Sequence, residues 1–275
     1  MIVAIQGERE SFSHAAARRL LGPGVEVLPC TTFDEVFAAR AEAAVIPIEN
    51  TLFGSIPRNY ELLGTTELQI VGETLLRIEH HLIARPGTRR EEIRRVLSHP
   101  VALAQCQRFF AAHHELEPVV TDDTAGSVKM IMEGESREVA AIASAAAAAL
   151  YGGEILVSNV EDNPENFTRF LLLAGANAEA IRAQLSAGPL KTSLLFRTPN
   201  TAGSLWRALA AFALRDISLA RIESRPIEGR PWEYSFYVDI SGGAEETRVA
   251  NALSHLREMC ETVKVLGSYP AASGN

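Results

Sequence analysis

The sequence predicts an α/β region followed by a smaller α+β region, and three observations predict it. Strand-like and helix-like patterns alternate from the first residue, the mark of a largely parallel sheet flanked by helices. Near Ser186-Ala187-Gly188-Pro189 the texture breaks. From Lys191 the order becomes strand, helix, strand, strand, helix, strand, which is the ferredoxin-like arrangement. A chain of 275 residues suits one large domain or two, at roughly 100–200 residues each. The expected boundaries are 1–183 and 190–268, with a short linker between them.

In chain order, residues 1–5 (MIVAI) form a short apolar strand, and Ser13 stands as hydroxyl N-cap before HAAARRLL. A strand at 26–28 follows, and Thr32 or Asp34 opens a helix through 41. The buried strand 43–48 stops at the polar Glu49-Asn50-Thr51. A helix near 59–63 precedes strand-like runs at 68–76 and 80–84. Ser98-His99-Pro100 opens a helix expected to run unbroken to 112, because proline is tolerated in a first turn. Asp123-Thr124 opens another, 139–143 is a strand leading into an alanine-rich helix, and 167–173 is again a strand.

In the second region the strands are 192–197, 218–223, 234–240 and 263–267, with helices at 203–214 and 245–261. Even positions of 234–240 are apolar, as in a sheet with one face under helices. The tail 271–275 is expected to fray.

Composition narrows the function. Twenty-six basic residues against 34 acidic ones give a net charge of −8, without the basic face a nucleic-acid binder needs. The longest apolar run, 139–151, is too short to span a bilayer, which takes about 20 residues. The N-terminus has no basic start and carries charge within its first ten residues, so it reads as a strand and not a signal peptide. Cys30, Cys106 and Cys260 are far apart and odd in number, which suggests reduced thiols in a cytoplasmic protein.

Several chemistries lack their motif. There is no G-x-G-x-x-G after a strand and no phosphate-binding G-x-x-x-x-G-K-[ST]. There is no Cys-x-x-Cys, no His-Glu-x-x-His and no G-x-S-x-G elbow, so neither a cofactor nor a metal is expected. Ser11, Ser13, Asn50, Thr51, Ser98, Thr124 and Thr168 instead fall at element edges, where open α/β sheets form their ligand crevice. Helix N-termini offer unpaired N–H groups and partial positive charge, so several at one cleft suit a small anion.

Five ordered blocks resemble the prephenate dehydratase family: Gly7-x-x-x-Ser11-Phe12-Ser13-His14, Pro47-Ile48-Glu49-Asn50-Thr51-x-x-Gly54-Ser55-Ile56, Ser98-His99-Pro100 with Gln105-Cys106, Asp123-Thr124-Ala125-Gly126-Ser127, and Asn166-Phe167-Thr168-Arg169-Phe170. Gly203-Ser204-Leu205 and Glu223-Ser224-Arg225-Pro226 resemble the two effector motifs of the regulatory ACT domain that follows this catalytic domain in the family. The resemblance implies a two-lobed catalytic domain like a type II periplasmic binding protein. It implies cofactor-free loss of water and carbon dioxide from prephenate to give phenylpyruvate, with feedback by L-phenylalanine bound between ACT domains of a homodimer or homotetramer. Arogenate as substrate, or a non-catalytic amino-acid sensor, are the alternatives.

Thr168 matches the family's catalytic threonine, a hydrogen-bond donor to the leaving oxygen, with Glu49 and His99 as rival proton donors. Ser11, Glu49, Asn50, Thr51, Ser98, Gln105, Thr124, Arg169 and Phe170 are carried over to the substrate site, Arg169 as a bidentate carboxylate partner. Gly203, Ser204, Leu205, Glu223, Ser224, Arg225 and Pro226 are carried over to the effector site. Two residues depart from the family's pattern. Glu10 stands where a glycine is usual and is expected to turn outward, away from the substrate, and Ser204 replaces an alanine and is expected to leave effector binding intact.

Overall fold

The computed structural model describes residues 1–272. The chain starts with β1 (Ile2–Gln6), α1 (Phe12–Leu21), β2 (Glu26–Cys30), α2 (Phe33–Ala38), β3 (Ala43–Asn50) and β4 (Gly54–Ser55). It continues through α3 (Pro57–Thr65), β5 (Gln69–Arg77), β6 (His81–Ala84) and β7 (Arg95–Ser98). Next come α4 (Pro100–Ala104), α5 (Gln107–Ala111), β8 (Glu117–Val120), α6 (Thr124–Glu133) and β9 (Val139–Ala143). Then follow α7 (Ala145–Tyr151), β10 (Glu154–Val157), β11 (Phe167–Ala174) and α8 (Ala178–Arg182). The C-terminal part is β12 (Leu190–Arg197), α9 (Ser204–Ala213), β13 (Leu219–Ile227), β14 (Arg230–Ser241), α10 (Thr247–Met259) and β15 (Thr262–Pro270). No helix among the described residues is long and apolar enough to cross a membrane.

One compact unit comprises residues 1–59 and 74–170, a second residues 60–73 and 171 onward. Two sheets lie in the first unit, one of them only in part because β5 and β11 run on into the second unit's residues. In one, β1 pairs in parallel with β2 and β3, and the full order is β2-β1-β3-β11-β5 with β4 beside β3. In the other the order is β10-β6-β9-β7-β8, with β7 parallel to β8 and β9 and β6 antiparallel to β9. The apolar runs Val3–Ile5, Val45–Ile46 and Ala140–Ala143 are fully buried, as strands covered on both faces must be.

Two local expectations in this unit change. Helix α1 starts at Phe12 and is capped by Ser11, whose hydroxyl accepts from the His14 N–H, while Ser13 is buried inside the helix. Gly7 and Glu10 both take positive φ (94° and 63°), and this turn delivers the chain to Ser11. The expected helix to 112 breaks at Gln105-Cys106 into α4 and α5. The cause is distant in sequence: the Asp162 carboxylate accepts from the N–H groups of Gln107 (3.0 Å) and Arg108 (2.8 Å) and so caps a second helix start.

The second unit has the strand order β13-β14-β12-β15, the ferredoxin-like order expected from the pattern. Leu194, Phe196, Val238 and Ile240 of its sheet pack on Ala208, Phe212, Leu253 and Leu256 of α9 and α10. The other face is not left to solvent as the alternation suggested. Ser235, Tyr237 and Asp239 are buried too. Within this unit the Tyr237 hydroxyl donates to the Tyr60 carbonyl (2.6 Å), and Lys191 pairs with Glu73 (2.5 Å). The Arg221 guanidinium carbon lies 5.2 Å from the Tyr60 ring centroid. A Cβ on Gly64 would meet the Tyr237 hydroxyl at 2.7 Å, and one on Gly267 would overlap the Ile70 carbonyl oxygen, so both glycines permit close approach. The tail is bonded at its start, Ala271 N–H to the Pro189 carbonyl and Ala272 N–H to Glu73. The expectation of fraying beyond residue 272 lies outside the described residues.

Candidate active site

A cavity of about 690 Å3 lies in the first unit, where strands of both sheet systems end. Gln6 ends β1, Asn50 ends β3, and Thr168 and Phe170 come from β11. His80 precedes β6, His99 and Gln105 flank α4, and Thr124 opens α6. Phe12, Phe33, Phe53, Ile56, Ile78 and Val101 supply apolar walls.

The polar floor has a direction that its hydrogen bonds fix. The Asn50 Oδ1 accepts from the backbone N–H groups of Leu52 (2.9 Å) and Phe53 (3.0 Å), so its amide nitrogen must face the other way. That Nδ2 donates to Asn166 Oδ1 (2.8 Å), to Thr168 Oγ1 (3.0 Å) and to the Phe167 carbonyl (3.1 Å). An amide nitrogen cannot accept, so Thr168 is the acceptor in this pair. Its own hydroxyl proton is left to point elsewhere. Both residues are buried at 8 % exposure, where such a pairing is held rigidly.

The break between α4 and α5 brings Gln105 into the same floor, buried where a continuous helix would have left it exposed. Its Nε2 faces Asn166 Oδ1 (3.4 Å) and Asn50 Oδ1 (3.5 Å), and its Oε1 faces His80 Nε2 (2.8 Å).

Charge in the cavity is mixed. Arg58 is the one Lys or Arg in its lining, and it is ion-paired with Asp34, whose carboxyl it holds below the usual range. Burial pushes Asp123 up, opposed by the N–H groups of Gly126 and Glu8 that its carboxylate accepts from. Burial lowers His99, opposed by Asp123 and Asp122. His99 also caps α4, its Nδ1 accepting from the Val101 N–H (3.2 Å). Cys106 is wholly buried, and burial raises its thiol far above the ordinary value, which suits packing and not nucleophilic attack. No group of His, Cys, Asp and Glu side chains among the described residues could hold a metal ion.

Of the residues carried to the substrate site, Ser11, Asn50, Gln105, Thr124, Thr168 and Phe170 line the cavity. Glu49, Thr51, Ser98 and Arg169 do not belong to its lining. Arg169 lies between the buried Thr168 and Phe170 on a strand, so it projects from the opposite face. Glu49 alternates with Ile48 and Asn50 in the same way. The Thr51 hydroxyl donates to the Glu165 carbonyl (2.8 Å) and accepts from the Phe167 N–H (2.9 Å), fastening the approach to β11. Ser98 donates to the Ile142 carbonyl (2.6 Å) between β7 and β9. His80, Asn166 and Arg58 are the residues that sequence reasoning missed. Asn166 stood inside a quoted block, but neither His80 nor Arg58 carries a local signal.

Glu10 is absent from the cavity lining, but it does not turn outward to solvent as expected: it is buried, and its carboxylate holds Arg18 (2.6 Å). The effector residues all lie in the second unit. Gly203 takes φ +78° as N-cap of α9, where the Ser204 hydroxyl bonds Thr201 (2.6 Å) and Arg207 (3.2 Å), and Leu205 packs on the core. On β13 the half-buried Glu223 and Arg225 alternate with the exposed Ser224 and Pro226.

The chain is similar to known proteins over most of its length. The family profile described as "Prephenate dehydratase" matches residues 3–178, and the "ACT domain" profile matches 192–257. "Arogenate dehydratase/prephenate dehydratase 2, chloroplastic" of Arabidopsis thaliana is 42% identical over 98% of this chain and 72% of its own length. A solved structure titled "The Crystal Structure of Prephenate dehydratase in complex with L-Phe from Arthrobacter aurescens" superimposes with a TM-score of 0.84 at 31% identity, covering 98% of this chain and 90% of that one. Another, titled "GqqA- a novel type of quorum quenching acylases", does so with 0.86 at 38% identity and 98% of each chain. The expected cytoplasmic localisation does not stand against the Arabidopsis relative, which is chloroplastic. On the extent of these matches, the chain belongs to the prephenate dehydratase family.

Proposed function

We propose that the chain converts prephenate to phenylpyruvate, and that Thr168 stabilises the departing hydroxide. The bond from the ring carbon to its carboxylate breaks, the freed electron pair moves through the ring, and the C–O bond opposite breaks as the ring becomes aromatic. Carbon dioxide and water leave. Aromatisation supplies the driving force, so the protein must mainly hold the dianion and help hydroxide depart. The observation that carries the reading is the Asn50 to Thr168 bond, because it makes the threonine oxygen an acceptor and leaves its proton to donate into the cleft. Threonine is a weak acid, so this donor stabilises developing charge, and one proton taken up from the buffered solvent converts the departed hydroxide to water.

Arg58 and the start of α1, capped by the neutral Ser11, are the groups at the cavity that favour a carboxylate. Arogenate, which has an amino group in place of the side-chain keto group, is the second reading, favoured by the double name of the Arabidopsis relative. The acylase activity in one neighbour's title requires a nucleophile beside a base. Here Thr168 is bonded by an amide, and His80 Nε2 is engaged with Gln105, so the floor suits dehydration better. Incubating the protein with prephenate and, separately, arogenate while following aromatic product in the ultraviolet tests this. Faster turnover of arogenate would replace the first reading by the second, and inertness toward both would remove it.

Within this reading 1–183 is the catalytic domain and 190–268 the regulatory one, with L-phenylalanine as effector. The effector residues sit on α9 and on β13, an edge strand of its sheet. Trp206, Leu214 and Trp232 are each more than 70 % exposed in the same unit, apolar side chains that a second copy could cover. A second copy covering this surface makes the protein a homodimer or homotetramer, as sedimentation with and without phenylalanine would reveal.

A further inference from the structure

We infer that His80 is a positioning residue for the reaction, one that fixes which end of the Gln105 amide faces the catalytic floor. The inference rests on the dehydratase reading and follows from the direction of the hydrogen bonds. Asn50 Oδ1 is committed to two backbone N–H groups, and Asn166 Oδ1 accepts from Asn50 Nδ2. Both oxygens therefore face Gln105 as acceptors, and only its Nε2 can answer them. Those contacts are long, at 3.5 and 3.4 Å, and would not by themselves hold the amide against a flip. The short bond is at the other end, where His80 Nε2 meets Gln105 Oε1 at 2.8 Å. With Oε1 as acceptor, the imidazole must carry its proton on Nε2.

Three further observations hold the ring in that state. His80 is 1 % exposed, the Phe12 ring meets it edge-on at 5.7 Å between centroids, and its backbone N–H is tied to Glu161 (2.9 Å). Its Nδ1 is buried without a hydrogen-bond partner, so nothing competes to draw the proton there. Burial keeps the imidazole neutral at ordinary pH, opposed by the Gln105 bond and by Glu161 and assisted by His81. The result is a one-way chain from His80 through Gln105 to Asn50 and Asn166, and from Asn50 to Thr168. Gln105 thereby keeps its N–H groups toward the Asn50 and Asn166 oxygens, steadying the amide that in turn orients Thr168.

The test compares His80→Phe, which keeps a ring against Phe12, with His80→Gln, whose amide can still donate to Gln105. His80→Phe should lower kcat about tenfold, the loss of one positioning bond, with KM within twofold and a melting temperature lower by a few degrees as the buried Gln105 Oε1 loses its donor. His80→Gln should recover most of that loss, and His80→Phe should cost nothing further in a Gln105→Ala background. Nitrogen NMR of the wild-type protein should show Nε2 protonated and Nδ1 bare, a readout independent of any variant's folding. A proton on Nδ1, full activity in His80→Phe, or an equal loss in the Gln105→Ala background would each overturn the inference. A wild-type protein inert toward prephenate and arogenate would instead remove the dehydratase reading while leaving the NMR result standing.

Discussion

At the scale of single residues, one amide decides the chemistry of the floor. Asn50→Asp keeps the size and the two backbone bonds to its Oδ1 but puts an acceptor opposite Thr168. The threonine proton then turns to the carboxylate and away from the cleft. We expect kcat to fall about 100-fold with a native circular dichroism spectrum, the scale of losing one preorganised donor. Glu10 makes a second test. Its φ of 63° suits glycine, but its carboxylate holds Arg18 and does not line the cavity. Glu10→Gly should relieve backbone strain of about 1 kcal/mol while losing that partly exposed ion pair, for little net change in stability. KM for prephenate should stay within twofold, and a fall beyond tenfold would mean that Glu10 repels the substrate.

At the scale of elements, the sequence was most readable where periodicity is local. The alternating strands and helices and the order β12-α9-β13-β14-α10-β15 follow from spacing of apolar residues alone. The break that delivers Gln105 was not readable, because its cap, Asp162, lies 55 residues beyond Gln107. His80 was hidden for the same reason, since its partner Gln105 comes from another element. Strand parity was a usable signal: Thr168 and Phe170 share a face that Arg169 cannot, and Asn50 a face that Glu49 cannot. Asp162→Ala removes the acceptor for two helix N–H groups. It should cost about 1 kcal/mol in urea unfolding and reduce kcat as Gln105 loses its anchor.

At the scale of the whole molecule, close packing and buried imidazoles set stability. Gly267→Ala places a methyl against the Ile70 carbonyl in the second unit, so β15 or β5 must shift. We expect a loss of about 3 kcal/mol, read as a lower melting temperature. His14, His80 and His99 are all lowered from 6.5, chiefly by burial. Their folded values lie below their unfolded ones, so below about pH 6.5 the unfolded chain binds more protons. The stability they hold is therefore complete above that pH and is lost as pH falls toward the folded values. Asp123, raised by burial, works in the opposite sense and offsets part of the loss. A urea titration series from pH 7.5 to 5 checks the sign, and a midpoint that rises on acidification would contradict it.

The central claim is that the Thr168 hydroxyl donates to the leaving oxygen, and the most direct measurement is prephenate turnover by Thr168→Ala beside Thr168→Ser. The account predicts a kcat lowered about 100- to 1000-fold in the alanine variant with KM little changed, and a serine variant that keeps most of the activity. An alanine variant with wild-type kcat would contradict it.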